Sequence, residues 1–235
     1  MINFLNTLRK CPLFFDVSDD NIITMLDCLK ARTKTFDKNC TILSEESPAK
    51  YIGIVLSGSV QIIRTDYYGN RSILGNLCEG ELFGEAFACI KMSSMPVSVI
   101  ANKRSEIMFI DCNHILHTCQ KGCSHHQQLI YNLVKVLASK TVMFQQKIEV
   151  ISKRTTREKL LTYLTICTKM HNNNSFKIPF NRQELADYLE VDRSGLSAQI
   201  SKLRKDGILE CRRNHFILLQ FGKMSNYRKQ SDFYV

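Results

Sequence analysis

Apolar and polar positions along the 235-residue chain change period three times. In residues 1–35, Leu5, Leu8, Ile22, Ile23, Leu26 and Leu29 recur at roughly helical spacing, and Asp16 to Asp20 reads as a loop and cap. One or two short helices are predicted there. From Thr35 short apolar runs alternate with turn residues: 41–43, 51–56, 60–64, 72–77, 97–101 and 106–110. Ser57-Gly58, Asp66 to Asn70, Glu79-Gly80 and Gly84 punctuate them. Short strands at near-regular spacing predict an antiparallel barrel or jelly roll.

From about Ser124 the period becomes helical for nearly thirty residues. Ile130, Leu137, Phe144 and Ile151 lie seven apart, with Val134, Thr141 and Ile148 between them. This is an a/d heptad seam. A second apolar line, Leu129, Leu133, Val136, Met143 and Val150, covers a neighbouring face. One face is expected to pack on the barrel and the other to pair with the same helix of a second subunit, as a homodimer.

Ser152 to Arg157 reads as a polar, basic hinge, 160–170 as another helix, 171–175 as a loop and 176–180 as a short strand. Within 181–210, Asn181 followed three residues later by Glu184 has the spacing of a capping box. Leu185, Ala186 and Leu189 follow at helical spacing, Glu190-Val191 turns, and Asp192 caps a second helix with Leu196, Ile200 and Leu203 inside. Arg193, Ser194, Ser197, Ala198 and Lys202 are left on its outer face, the arrangement of a recognition helix in a DNA major groove. Ile208 to Glu210 and His215 to Leu219 are predicted to pair across Arg212-Arg213-Asn214 as a wing; the last sixteen residues have no clear period.

Charge sharpens this division. The net charge is +10; residues 152–235 hold 16 Lys and Arg against 8 Asp and Glu, and residues 1–151 hold 16 against 14. A basic module beside a near-neutral one is the footprint of a polyanion binder. No apolar run approaches the roughly 18 residues that span a bilayer. No signal-peptide layout opens the chain, so a cytoplasmic protein without membrane contact is expected. The ten cysteines include no CxxC pair and are then expected to be reduced thiols.

The order of elements resembles the CRP/FNR family of bacterial transcription regulators. The carrying residues are Tyr51-Ile52 through Leu56-Ser57-Gly58-Ser59-Val60, then Gly69-Asn70, then Gly80 to Glu85. Arg182 to Ala186 and Asp192-Arg193-Ser194 match the family's paired helices. The resemblance implies an α+β chain with three parts. Residues 1–123 would be a jelly-roll (cupin-like, cyclic-nucleotide-binding-like) effector domain, 124–152 a long dimerisation helix and 153–235 a winged helix-turn-helix. It further implies an allosteric, non-enzymatic regulator that binds double-stranded DNA at a palindromic operator and works with RNA polymerase. Arg193 would read a base edge, with Ser194, Ser197 and Lys202 as further contacts and Arg182 and Gln183 on the phosphate backbone.

The effector is open at this level. Gly84, Glu85, Val97 and Ser98 occupy the family's effector-pocket positions, but Pro96-Val97 stands where cyclic-nucleotide binders carry Arg-Ser or Arg-Thr. Without a cation a buried phosphate is costly, so cyclic AMP is disfavoured. Cys11, Cys28 and Cys40 are too widely separated for the family's iron–sulfur motif. Cys112, His114, His117, Cys119, Cys123, His125 and His126 concentrate thiols and imidazoles before the long helix, and Cys119, Cys123, His125 and His126 are candidate metal or redox residues. A cupin-type metalloenzyme, the alternative of another class, is opposed by the absence of any His between Thr35 and Asp111. No cofactor is assigned.

Overall fold

The computed structural model describes residues 4–116 and 125–219. The chain divides into two compact units, residues 1–142 and 143–235.

The N-terminal unit begins with α1 (Leu5–Lys10), a 3-10 turn (Pro12–Phe14) and α2 (Asp19–Cys28). Eight strands follow: β1 (Arg32–Phe36), β2 (Thr41–Leu43), β3 (Tyr51–Ser57), β4 (Ser59–Thr65), β5 (Arg71–Cys78), β6 (Leu82–Phe83), β7 (Ser98–Ala101) and β8 (Ser105–Asp111). They form two antiparallel sheets, ordered β1-β8-β3-β6 and β2-β7-β4-β5. Strand alternation explains the layers. Val55, Phe83 and Ile107 from one sheet meet Val60, Leu77 and Val99 from the other in one buried cluster. On the opposite face of β3, Ile52, Ile54 and Leu56 join Leu8, Ile22, Leu26 and Leu29 of the N-terminal segment. Gly58, at the β3–β4 turn, has φ +94°, and a Cβ there would lie 2.2 Å from Ser105 Oγ. That hydroxyl accepts from Ser59 N at 3.0 Å, so the reversal between the sheets needs glycine.

The strand region departs from its sequence pattern at three places. Residues 32–36 are a strand, not the end of a helical segment. Arg32 to Thr35 are all exposed, so β1 carries no apolar alternation, and its ladder with β8 forms through backbone groups. Glu85 opens a short helix, α3 (Glu85–Cys89), directly after the Gly84 turn, and α4 (Cys112–Leu116) follows β8 directly. Both helices are too short for a periodic signal.

The long helix is α5 (His125–Ile151). Leu129, Leu133 and Val136 are buried in the cluster that covers the outer face of β3. Met143, expected on the same line, is 53% exposed. Seven residues are about 10 Å of helix, which carries Met143 past a cluster whose last α5 members are Val136 and Leu137. Buried Asn132 fastens α5 to the N-terminal segment: its Nδ2 donates to Leu13 O at 3.0 Å and to Phe15 O at 2.7 Å.

The C-terminal unit comprises the end of α5, then α6 (Thr156–His171), β9 (Ser175–Lys177), α7 (Arg182–Leu189), α8 (Arg193–Lys205), β10 (Leu209–Arg212) and β11 (His215–Leu218). The strands form an antiparallel sheet ordered β10-β11-β9. α6 starts four residues before its predicted start at Leu160, because Thr155 and Glu158 close a capping box. The strand expected over 176–180 runs only to Lys177. Pro179 has no N–H to offer a ladder, although Ile178 N still reaches Asn214 O at 2.9 Å. Ile208 precedes β10 and donates from its N–H to Leu203 O, finishing α8 rather than starting the wing.

Candidate nucleic-acid interface

α7 and α8 are built by the residues that predict them. Asn181 Oδ1 accepts from Glu184 N at 3.0 Å and the Glu184 carboxylate accepts from Asn181 N at 2.7 Å. Glu190 takes the left-handed conformation, φ 54°, and stops α7. Asp192 Oδ2 accepts from Gly195 N at 2.5 Å and Ser194 Oγ at 2.6 Å, starting α8. These bonds hold the Asp192 carboxyl below the usual carboxylate range. Leu196, Ile200 and Leu203 are buried, and α8 packs on α6, α7 and β10. Phe180 stacks on Tyr188 at 4.8 Å between ring centroids, and Tyr163 lies 5.2 Å from Tyr188.

The burial of one face fixes what α8 presents. Arg193, Ser194, Ala198 and Lys202 are exposed. Ser197 is half-buried, and its hydroxyl donates back to Arg193 O at 2.9 Å. Gln183 is exposed but bonded to Asp187 Oδ1 at 2.7 Å. Arg182 turns onto the wing: its Nη2 lies 3.4 Å from both Cys211 Sγ and Arg213 O, and its guanidinium lies over the Phe216 ring. It therefore braces the β10–β11 turn, where Arg213 has φ 56° and Arg212 and Arg213 are exposed.

The structure adds residues that the sequence reading passed over. Arg204 and Lys205 are exposed at the end of α8, and with Ser201, Arg212 and His215 they line an open groove of about 890 Å³ against the wing. The signal was available: the i, i+4 spacing from Arg193 through Ser197 and Ser201 arrives at Lys205. At the other end of the unit, Lys147 of α5 donates to Tyr188 O at 2.5 Å and lies 3.7 Å over the Tyr188 ring. Lys159 Nζ lies 3.2 Å from both Leu189 O and Glu190 O. Two cations thus meet the carbonyl end of α7, where the helix dipole favours positive charge.

In the N-terminal unit, Gly84 has φ 79°, and a Cβ there would come 3.0 Å from Tyr51 O. Glu85 is 3% exposed; its Oε1 pairs with Lys140 Nζ of α5 at 2.9 Å, and its Oε2 has no hydrogen-bond partner among the described residues. Lys140 also donates to Leu82 O at 2.6 Å. Val97 is buried with Ala49 and Met95, and Leu43, Ile62 and Phe87 pack around them. Ser98 Oγ accepts from Glu45 N at 3.0 Å. The four pocket positions thus provide one carboxylate already bonded to a lysine and an apolar wall.

Cys119 and Cys123 lie outside the described residues. His125 is half-buried; His126 is 1% exposed, its Nε2 lies 3.2 Å from His114 O and its Nδ1 has no hydrogen-bond partner among the described residues. Among the described residues no group of three His, Cys, Asp or Glu side chains is placed to hold a metal ion. No helix among them is long and apolar enough to cross a membrane.

Residues 33–121 match the cyclic nucleotide-binding domain family and residues 158–227 the Crp-like helix-turn-helix domain family. The chain belongs to the CRP/FNR family of transcription regulators. This CRP/FNR regulator therefore has an effector-binding-type domain joined to a DNA-binding helix-turn-helix, in a family of regulators rather than enzymes. It is 21% identical over 207 residues to "Transcriptional activator protein FnrL" of Cereibacter sphaeroides, covering 81% of this chain and 78% of that protein. It is 18% identical over 211 residues to "Electron transport regulator A" of Shewanella oneidensis, covering 87% and 82%. A CooA mutant from Carboxydothermus hydrogenoformans has the same fold, with a TM-score of 0.68 at 18% identity over 86% of this chain and 89% of that one. FixK2 from Bradyrhizobium japonicum gives 0.63 at 19% identity over 83% and 96%.

Proposed function

We propose that this regulator acts as a homodimer on a palindromic operator. The observation that carries the reading is the outer face of α5. Val134, Phe144 and Ile148, all a/d positions of the heptad seam, are each at least half exposed, and Tyr131, Val142 and Met143 flank them. Ile130, Leu137 and Ile151 of the seam are half-buried and Thr141 is exposed. A contiguous apolar stripe on a helix is the surface that a parallel partner helix covers. The two-fold axis then sets two copies of α8 against half-sites about one helical turn, roughly 34 Å, apart.

On each half-site Arg193 reads a base edge, with Ser194 and Ser197 beside it. Lys202 and the exposed Arg204, Lys205, Arg212 and Arg213 neutralise phosphates. Gln183 lies at the phosphate-facing start of α7, and Arg182 positions the wing. RNA polymerase is the partner through which binding acts on transcription.

The effector that biases α5 is not a cyclic nucleotide. At the position of the phosphate-binding pair, Val97 is buried among apolar side chains and Pro96 has no N–H, so a phosphate would meet no cation there. Gly84, Glu85, Val97 and Ser98 favour a ligand with an apolar body and few polar groups. Sedimentation of the purified protein, paired with gel shifts on a library of palindromes, tests the reading. The wild type should sediment as a dimer and select one palindrome, with affinity falling steeply with salt. Phe144→Glu with Ile148→Glu should sediment as a monomer and lose that selection. A wild-type monomer that binds DNA without preferring any palindrome would overturn it.

A further inference from the structure

Outside the interface and the heptad seam, one pair of side chains is placed for chemistry that the regulator reading does not use. Cys89 ends α3 and Cys112 begins α4, and their sulfurs are 3.5 Å apart. The residues are 23 apart in sequence, so the meeting is made by the fold. β8 delivers Cys112 directly: its backbone N–H donates to Lys50 O at 3.2 Å. α3 delivers Cys89 from the turn at Gly84. Cys112 is 2% exposed, whereas Cys89 is half-buried. Cys89 is therefore the residue of the pair open to solution, and Cys112 is closed off from it. Among the described residues, Glu85, Lys91 and Asp111 are the charged groups that act on the pair. The hydrogen bond from Cys112 holds the Cys89 thiol below its usual range against partial burial and Glu85, while that same bond and burial push the Cys112 thiol up.

We propose that Cys89 and Cys112 form a thiol–disulfide site for small-molecule disulfides, and that α3 passes its state to α5. The Cys89 thiolate attacks one sulfur of a low-molecular-weight disulfide and expels one thiolate. Cys112 then attacks the Cys89 sulfur and expels the second thiolate, which takes up the Cys112 proton. The protein dithiol gives up two protons and two electrons, and the small disulfide becomes two thiols. A disulfide is about 2.05 Å long, so closure must draw the end of α3 and the start of α4 together from the present contact. The first residue of α3 is Glu85, whose carboxylate holds Lys140 of α5. α3 is five residues long, about one and a half turns, so a shift at its last residue reaches its first. The path runs Cys112–Cys89–α3–Glu85–Lys140. A metal site is the poorer use of the pair, because among the described residues no third ligand completes it.

The effect on DNA rests on the operator-binding reading above; the disulfide itself does not. The test uses the full-length protein, reduced and then equilibrated with oxidised glutathione. Peptide mass spectrometry should recover Cys89 and Cys112 linked with the loss of two hydrogens, and Cys89→Ser should abolish that species. Gel shifts on the selected operator should differ by about fivefold or more between reduced and oxidised wild type, and should not differ for Cys89→Ser. Lys140→Met should still form the disulfide but lose most of the difference in affinity. Recovery of Cys89 only as the free thiol or a mixed disulfide, in folded protein, would overturn the site. A response to oxidant that survives in Cys89→Ser would overturn its role. Failure of the reduced protein to select any operator would instead count against the operator-binding reading, with the mass-spectrometric result still deciding the site.

Discussion

Replacing Lys147 by Met isolates the energetics of a buried cation at the base of the helix-turn-helix. Lys147 is 6% exposed, and its ammonium donates to Tyr188 O and lies over the Tyr188 ring. Burial, opposed by Glu190 and reinforced by Lys159, pushes its pKa down from 10.5 to about 8. A cation with a depressed folded-state pKa makes stability rise with pH, because between the two values the unfolded chain holds a proton that the folded chain has released. The rise begins near the folded value of about 8 and is complete near the unfolded value of 10.5. At roughly 1.4 kcal/mol per pH unit the full rise is about 3 kcal/mol. Met has similar length, no charge and no donor. It removes the titration and leaves Tyr188 O short of one hydrogen bond, a loss of about 1 kcal/mol. At neutral pH the variant should therefore be more stable by about 1–2 kcal/mol, and the advantage should shrink as pH climbs. Urea unfolding followed by far-UV circular dichroism from about pH 7 to about pH 9.5, under a non-thiol reductant, gives the difference curve directly. A wild-type-minus-variant difference that stays flat or moves the opposite way would refute the reasoning.

Four further variants have expected outcomes. Asn132→Leu strips a shared donor from Leu13 O and Phe15 O and should lower the stability of the N-terminal unit by about 2 kcal/mol or more, measured by urea denaturation. Lys202→Ala should weaken operator binding uniformly across sequences and reduce the salt slope by about one, whereas Arg193→Ala should cost about 1–3 kcal/mol and relax selectivity at one base position; gel shifts on single-base operator variants separate the two. Glu85→Gln keeps the shape but removes the charge facing Lys140, whose side chain is 21% exposed. It should cost about 1–3 kcal/mol, less than a fully buried pair because water reaches the lysine, and thermal unfolding reads it out.

Much of the fold is legible because local chemistry and tertiary burial agree. The capping pair Asn181 and Glu184, the Asp192 cap and the inner residues Leu196, Ile200 and Leu203 all appear where spacing puts them. The same capping pattern at Thr155 and Glu158 was masked by the surrounding basic residues, which read as a hinge and hid the first turn of α6. β1 was illegible because its face to the cluster is carried by Phe36 alone. Side-chain commitments are harder to read than positions. Nothing in the spacing of Arg182 says that its guanidinium turns to Cys211 and Arg213 on the wing. The contact of Cys89 with Cys112 depends on a strand and two short helices whose mutual placement no periodicity encodes.

The polar character of β1 has a consequence for behaviour in concentrated solution. β1 is the open edge of its sheet, and a bare row of backbone amides and carbonyls is an invitation to strands of other molecules. Here that edge carries Arg32 and Lys34, both exposed, and the opposite edge of the sheet, β6, is two residues long. A second copy approaching edge to edge would bring like charges together before any ladder could zip up. That sheet thus guards both of its edges against self-association, which accords with the dimer proposed above meeting through the apolar stripe of α5.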